Sequence, residues 1–268
     1  MTKMSARKIV SCVALVIIMS MLVIVTGCVP GTGPAVTGSG KLGTRDMDYS
    51  DFTKIEVGYA FDIDITKADS YSVRITVDDN LYEYLDINKR GDTLHIGLKP
   101  NYNYVNIIRK ATINLPDLRG LGLSGASKAN VMGFSSSHSM DFDLSGASHM
   151  YISNMKTRDI KIGLSGASSV SGSITMADGR FDLSGASSLE LGGSAIDVSI
   201  GASGASHGRL RNLSVVDASV NLSGASDATI NAAGRVDGSL SGASKLYYTG
   251  NPTLGSINAS GGSTISRN

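Results

Sequence analysis

Leu123-Ser124-Gly125-Ala126-Ser127 is the stretch on which the fold turns, because it returns down the chain at 144–148, 164–168, 183–187, 222–226 and 240–244. Looser copies stand at 202–206 and 259–263. The central glycines are Gly125, Gly146, Gly166, Gly185, Gly204, Gly224, Gly242 and Gly261, spaced 18 to 21 residues apart. A period this regular marks stacked supersecondary units. Aligned on these glycines, the copies separate into columns. Four residues before the glycine stand Leu121, Phe142, Ile162, Phe181, Ile200 and Val220; four and six after it stand pairs such as Met150 with Ile152 and Leu189 with Leu191. Polar residues alternate with them, which is the pattern of a strand with one face buried and one wet.

A unit of this length has no room for two strands and a crossover helix, and it is rich in glycine and serine. The expected fold is all-β, a right-handed parallel β-helix of about eight coils over residues 119–268. Coils stacked about 4.8 Å apart give a rod of roughly 34 Å. A glycine in every elbow calls for φ > 0 or for a close approach of backbones. The alanine that follows it in seven of eight copies is expected to point inward at a tight corner. The two serines are expected to bond backbone groups freed by the bend. A reactive serine would need a base held beside it, and none of the four histidines recurs in step with the elbows.

At the start of the chain, Lys3, Arg7 and Lys8 precede an apolar run over 9–25 and then Val25-Thr26-Gly27-Cys28. This is the layout of an export signal over residues 1–27. The last four residues resemble the lipobox of bacterial lipoproteins. That resemblance implies cleavage before Cys28, a diacylglycerol on its thiol, and the membrane as a partner. The alternative is an uncleaved anchor, since 17 apolar residues approach a minimal span. Either way the remainder is exported. Cys12 falls within the signal, so no cysteine beyond Cys28 is left for a disulfide or a thiolate metal site.

Three of the 24 basic residues lie in the signal, leaving 21 against 23 acidic ones and a net charge of −2. A near-neutral surface argues against nucleic acid as a partner. Residues 28–43, rich in Gly and Pro, are expected to form a flexible tether. Residues 44–118 alternate like strands without repeating, and are expected to cap the solenoid and shield its edge. Turns are expected at 67–70 and 89–92 as hairpins, and one short helix at 80–85, capped by Asp78 or Asp79.

Several phrases now combine: Phe52-Thr53-Lys54-Ile55-Glu56-Val57, Phe61-Asp62-Ile63-Asp64-Ile65, Gly91-Asp92-Thr93-Leu94, Ile113-Asn114-Leu115-Pro116-Asp117-Leu118, and the first elbow. Together they make the chain, over about residues 50–265, resemble the GIN-domain family of exported bacterial proteins described as autotransporter adhesin heads. The family was formerly a domain of unknown function. The resemblance implies a solenoid-like β fold, an envelope location and an adhesive surface role, with no catalytic residues to carry over.

The expected function is therefore a non-catalytic interaction head for a glycan or a partner protein, with no metal and no cofactor. The columns three and five residues after the glycine are the expected ligand face, above all Tyr151, Glu190, Arg209 and Tyr247, with the rings of Tyr151 and Tyr247 stacking on sugars. The alternative is a polysaccharide hydrolase or lyase. Asp143 and Asp182 share a column two coils apart, about 9.6 Å, which is near the spacing of inverting glycosidases. Asp141 beside them is expected to pair with Lys161 and Arg180. The Gly-Gly-x-Gly-x-Asp signature of calcium-binding solenoids is absent from the repeats.

Overall fold

The computed structural model describes residues 33–268, so the expected signal over residues 1–27 and Cys28 lie outside the described residues. Two ladders of parallel strands carry the structure. The first stacks Lys54–Val57, Gly120–Leu123, Met140–Leu144, Asp159–Leu164 and Asp178–Leu183 in register. It continues through the second halves of the long strands Ser188–Ala202 and His207–Leu222, then Arg235–Leu240 and Thr253–Ala259. The second stacks Asp62–Lys67, Lys128–Met132, His149–Lys156 and Ser169–Thr175, the first halves of the long strands, and then Asp227–Ala232, Lys245–Gly250 and Thr264–Arg267. This is the expected β-solenoid. The column Leu121, Phe142, Ile162, Phe181, Ile200, Val220 runs in register through its interior, each side chain at most 2% exposed. Eight elbows in file enclose seven complete turns.

Each coil passes from the first ladder to the second through the elbow, whose glycines all have φ between +69° and +74°. The backbone ladder does not break there. Ser145 N donates to Leu123 O at 2.9 Å, Ala147 N to Gly125 O at 2.8 Å, and His149 N to Ser127 O at 2.9 Å. A Cβ on Gly146, Gly166 or Gly185 would sit 2.4 to 2.5 Å from the carbonyl oxygen of the elbow glycine one coil below. Glycine is thus required twice over, by φ and by the approach of the next coil. Gly125 opens the file and stacks on Tyr59 and Ala60, where an added Cβ would meet nothing closer than 3.5 Å.

The alanine of the elbow does not point inward as expected. Ala126, Ala147, Ala167 and Ala186 are exposed, and the second serine is the buried residue, 0–1% exposed from Ser127 to Ser244. A hydroxyl inside an aliphatic core needs a partner. The bend supplies one: Ser127 Oγ donates to Ser124 O at 2.8 Å, and Ser206 Oγ donates to Ser203 O at 2.7 Å. Ser187 Oγ alone among these buried elbow hydroxyls lacks a partner among the described residues. Farther along three of its pairings, register shifts between Ile152 and Met155, Glu190 and Gly193, and Leu210 and Ser214 interrupt the second ladder.

The N-terminal segment departs from a simple cap. Lys54–Val57 and Asp62–Lys67 already form a rung, and Thr93–Leu98 with Arg109–Leu115 form another beneath it. The ladders end only where Leu85–Arg90 and Ser72–Asp78 join antiparallel, with Leu42–Met47 added outside the latter. The turn at 89–92 is the expected hairpin, closed by Gly91 at φ +60°. The turn at 67–70 is not, because Arg109–Leu115 lies between the strands it connects. The short helix is a 3-10 turn, Asp79–Tyr84, without a side-chain cap. The Asp78 carboxylate, 1% exposed, instead accepts Gly40 N at 2.8 Å and Ile108 N at 2.7 Å.

The described part of the expected tether, residues 33–43, is paired as well. Ala35–Thr37 pairs in parallel with Asn103–Val105, and Gly38 N donates to Val105 O. Its glycines Gly33 and Gly38 allow close contact here. A Cβ on Gly33 would lie 1.9 Å from Asn101 O, and one on Gly38 would lie 2.5 Å from Asn106 O.

Two pairs of substitutions separate these constraints in urea unfolding. Gly125→Ala should cost about 1 kcal/mol from φ alone, whereas Gly185→Ala should cost a further ~1–3 kcal/mol because backbone below cannot yield. Equal losses would contradict the close approach. Likewise Ser206→Ala should cost about 1 kcal/mol and Ser187→Ala close to nothing, since only the first loses a bond.

Candidate functional site: a groove along the first ladder

The columns expected to form a ligand face stand in register on the outside of the second ladder. Asn130, Tyr151, Ser171, Glu190, Arg209, Thr229, Tyr247 and Ser266 are successive partners. They do not converge. Tyr151, half exposed, and Tyr247 are five rungs apart, roughly 24 Å. Glu190 and Arg209 are neighbours in register, yet Arg209 Nη1 donates to Ser188 Oγ at 2.9 Å rather than to the carboxylate. The neighbouring column is knit to itself: His149 Nδ1 meets Ser169 Oγ at 2.6 Å, and His207 pairs with Asp227. The face is long and wet.

The concave surface lies on the first ladder instead, as a groove of about 740 Å³ running across six coils. Its floor is backbone at Met140, Ile160, Gly179, Val198 and Ala218, whose own positions are buried. One wall carries Asp159, Asp178, Asp197 and Asp217, paired on consecutive rungs. The other carries Asp141, Lys161, Arg180, Ser199, Ser219 and Asp237. Six aspartates against Lys161, Arg180 and Arg235 leave the lining at −3.

Like charges one rung apart destabilise a ladder, and the ends of the acidic file are compensated. Asp159 accepts bonds from Arg158 Nε at 2.7 Å and Ser139 Oγ at 3.0 Å, and Asp217 accepts Arg235 N at 2.6 Å. Among the described residues, the Asp178 and Asp197 side chains make no ion pair within 4.0 Å. The file was visible in the repeat, since each of the four stands seven residues before its elbow glycine. It lies on the other side of the elbow from the columns three and five residues after the glycine that were expected to form the ligand face.

Asp143 and Asp182 do share a column, with Gly163 between them, and both line a smaller hollow of about 300 Å³. Asp182 is clamped by its own strand, with Arg180 Nε at 2.9 Å and Nη2 at 3.3 Å. Asp141 pairs with Lys161 at 3.6 Å as expected, but Arg180 turns to Asp182 instead of Asp141. Among the described residues, no three His, Cys, Asp or Glu side chains are placed to hold a metal ion.

The family described as "Putative auto-transporter adhesin, head GIN domain" matches residues 51–252. Among solved structures, a putative adhesin from Parabacteroides distasonis superposes with a TM-score of 0.80 at 19% identity, over 87% of this chain and 99% of that one. A putative lipid binding protein from the same organism gives 0.72 at 18% identity with the same coverage. A putative adhesin from Bacteroides fragilis gives 0.67 at 21%, again over 87% and 99%. At these identities the likeness is one of fold. No curated protein matches the sequence.

Two groove carboxylates are held below the usual aspartate range. Asp159 is lowered chiefly by its bond from Arg158, and Asp237 by Arg235 and then by the Ser256 amide. A lowered folded-state pKa favours the fold above the unfolded pKa, and that contribution disappears as pH falls through the folded value. The groove should therefore keep these two charges into acid. Carboxylate carbon NMR titration should place Asp159 below an ordinary aspartate and return it upward in Arg158→Ala. An unchanged midpoint in that variant would contradict the assigned cause.

Proposed function

The chain belongs to the putative auto-transporter adhesin, head GIN domain family, and from that premise we propose an exported lipoprotein, anchored through Cys28, whose solenoid head binds an extended glycan along the groove of the first ladder. Family and fold support a surface-interaction module. The export signal and Val25-Thr26-Gly27-Cys28 support the anchor.

One observation carries the choice of face: the groove is continuous over six coils, with buried ladder positions along its middle. An ionised carboxylate offers only acceptors, and sugar hydroxyls are donors that meet it at every rung. Each contact is weak, and a polymer engaging several rungs gains by multivalency. The tyrosine face offers stacking at two separate points and belongs to the same proposal as a secondary contact.

The second reading, cleavage of a polysaccharide, rests on Asp143 and Asp182 lying in one column over the hollow at Gly163. Binding and turnover separate the two. The mature chain, displayed on a glycan array and then incubated with its best ligand, should bind without shortening it. Asp178→Asn with Asp197→Asn should weaken binding about tenfold, while Tyr151→Ala with Tyr247→Ala should change it less than half as much. Binding indifferent to the aspartates would overturn the groove assignment. Shortened products that disappear in Asp143→Asn with Asp182→Asn would establish the enzyme instead.

A further inference from the structure

The pairing that shortens the tether fixes where the anchor meets the head. Pro34 O accepts Asn103 N, Ala35–Thr37 pairs with Asn103–Val105, and Asn80 Nδ2 donates to Thr37 O while its Oδ1 accepts Ser39 N. With Asp78 bonded to Gly40 and Ile108, the incoming chain is fastened to the N-terminal end of the rod over its whole described length. Five residue steps then separate Gly33 from Cys28, a reach of about 17 Å when fully extended. A rod of seven turns is about twice as long. The N-terminal end is thus the part of the head held nearest the lipid.

That end gathers several aromatic and exposed apolar side chains. Tyr59, Tyr84, Tyr102 and Tyr104 form one cluster, with ring centroids 5.0 to 6.4 Å apart. Around the Ala35–Thr37 pairing, Leu42 is 48% exposed, Ile108 42%, Tyr59 40%, and Tyr102 and Val105 37% each. Tyr104 donates its hydroxyl to Lys99 O at 2.8 Å, and burial, reinforced by its tyrosine neighbours, pushes its pKa up to about 12. Tyrosine rings with a polar tip and an apolar body suit the boundary between headgroups and acyl chains. Exposed Lys99 beside them suits the phosphates.

We infer that this tyrosine-rich end, with Tyr59, Tyr102, Val105 and Ile108 at its surface, docks on the headgroup layer of the membrane that holds the anchor and stands the solenoid away from it. The inference rests on the lipoprotein reading. A short attachment makes docking intramolecular, so a patch too weak to bind vesicles alone is sufficient. The orientation leaves the groove of the first ladder clear of the bilayer.

The chain contains no tryptophan, so single probes report cleanly. Full-length Tyr102→Trp, Ile108→Trp and Tyr247→Trp chains would be produced in a bacterial host and reconstituted into phosphatidylethanolamine vesicles with phosphatidylglycerol as the minor lipid. Mass spectrometry of the mature chain reads the anchor separately, as a diacylglycerol on Cys28. The expected result is a lipidated chain whose probes at 102 and 108 are quenched by brominated lipid several-fold more than the probe at 247. Lipidated chains with equal quenching at all three positions would overturn the docking and leave the anchor standing. A Cys28 without lipid would overturn both.

Discussion

The hydrogen bond from the elbow alanine amide to the glycine carbonyl one coil below, Ala147 N to Gly125 O at 2.8 Å and its repeats, is the constraint on which the structure depends. It lets the ladder continue through a bend instead of stopping at one. Once the backbones meet at that distance, no Cβ fits, φ must be positive, and the residue can only be glycine. The buried serine follows from the same geometry. A corner turned this tightly leaves a carbonyl of the same elbow free, and Ser127, Ser148, Ser168, Ser206 and Ser226 each answer it from inside. The repeated phrase is thus a solution to backbone bonding at a corner, and it spends its hydroxyls there.

With the elbow committed to architecture, variation between coils is confined to outward positions, and that is where a binding surface has room to arise. The first ladder uses this freedom to place aspartates on consecutive rungs, a pattern that works against stability. Arg158 and the Arg235 backbone amide bond its ends, and Asp178 and Asp197 in the middle stay exposed in the groove. The opposite face places its charges in pairs that satisfy each other, such as His207 with Asp227. A costly file of like charge beside a hollow is what sets the first ladder apart from the opposite face.

How much of this was legible depended on whether the signal was periodic. The repeat exposed the elbow, the buried columns and the register, because each was stated eight times over. It misplaced Ala126 and its counterparts, since positive φ at the preceding glycine shifts the alternation and sends the methyl outward and the serine inward. The N-terminal third could not be decoded the same way. Gly33 and Gly38 have the composition of a linker, but their lack of a Cβ admits Asn101 and Asn106, and only tertiary contact distinguishes the two uses. The candidate face at Tyr151 and Tyr247 was found by residue type, whereas the groove depended on curvature, which a column of letters does not contain.

If the account is right, the corner is as rigid as the strands. Native-state amide hydrogen exchange of Ala147, Ala167, Ala186, Ala205 and Ala225 tests this directly, because each of these exposed residues would exchange rapidly were the elbow an ordinary loop. Protection equal to that of Ile162 and Ile200 in the adjacent strands is the predicted result. Exchange at loop rates, with the strands still protected, would contradict a ladder that runs unbroken through the bend.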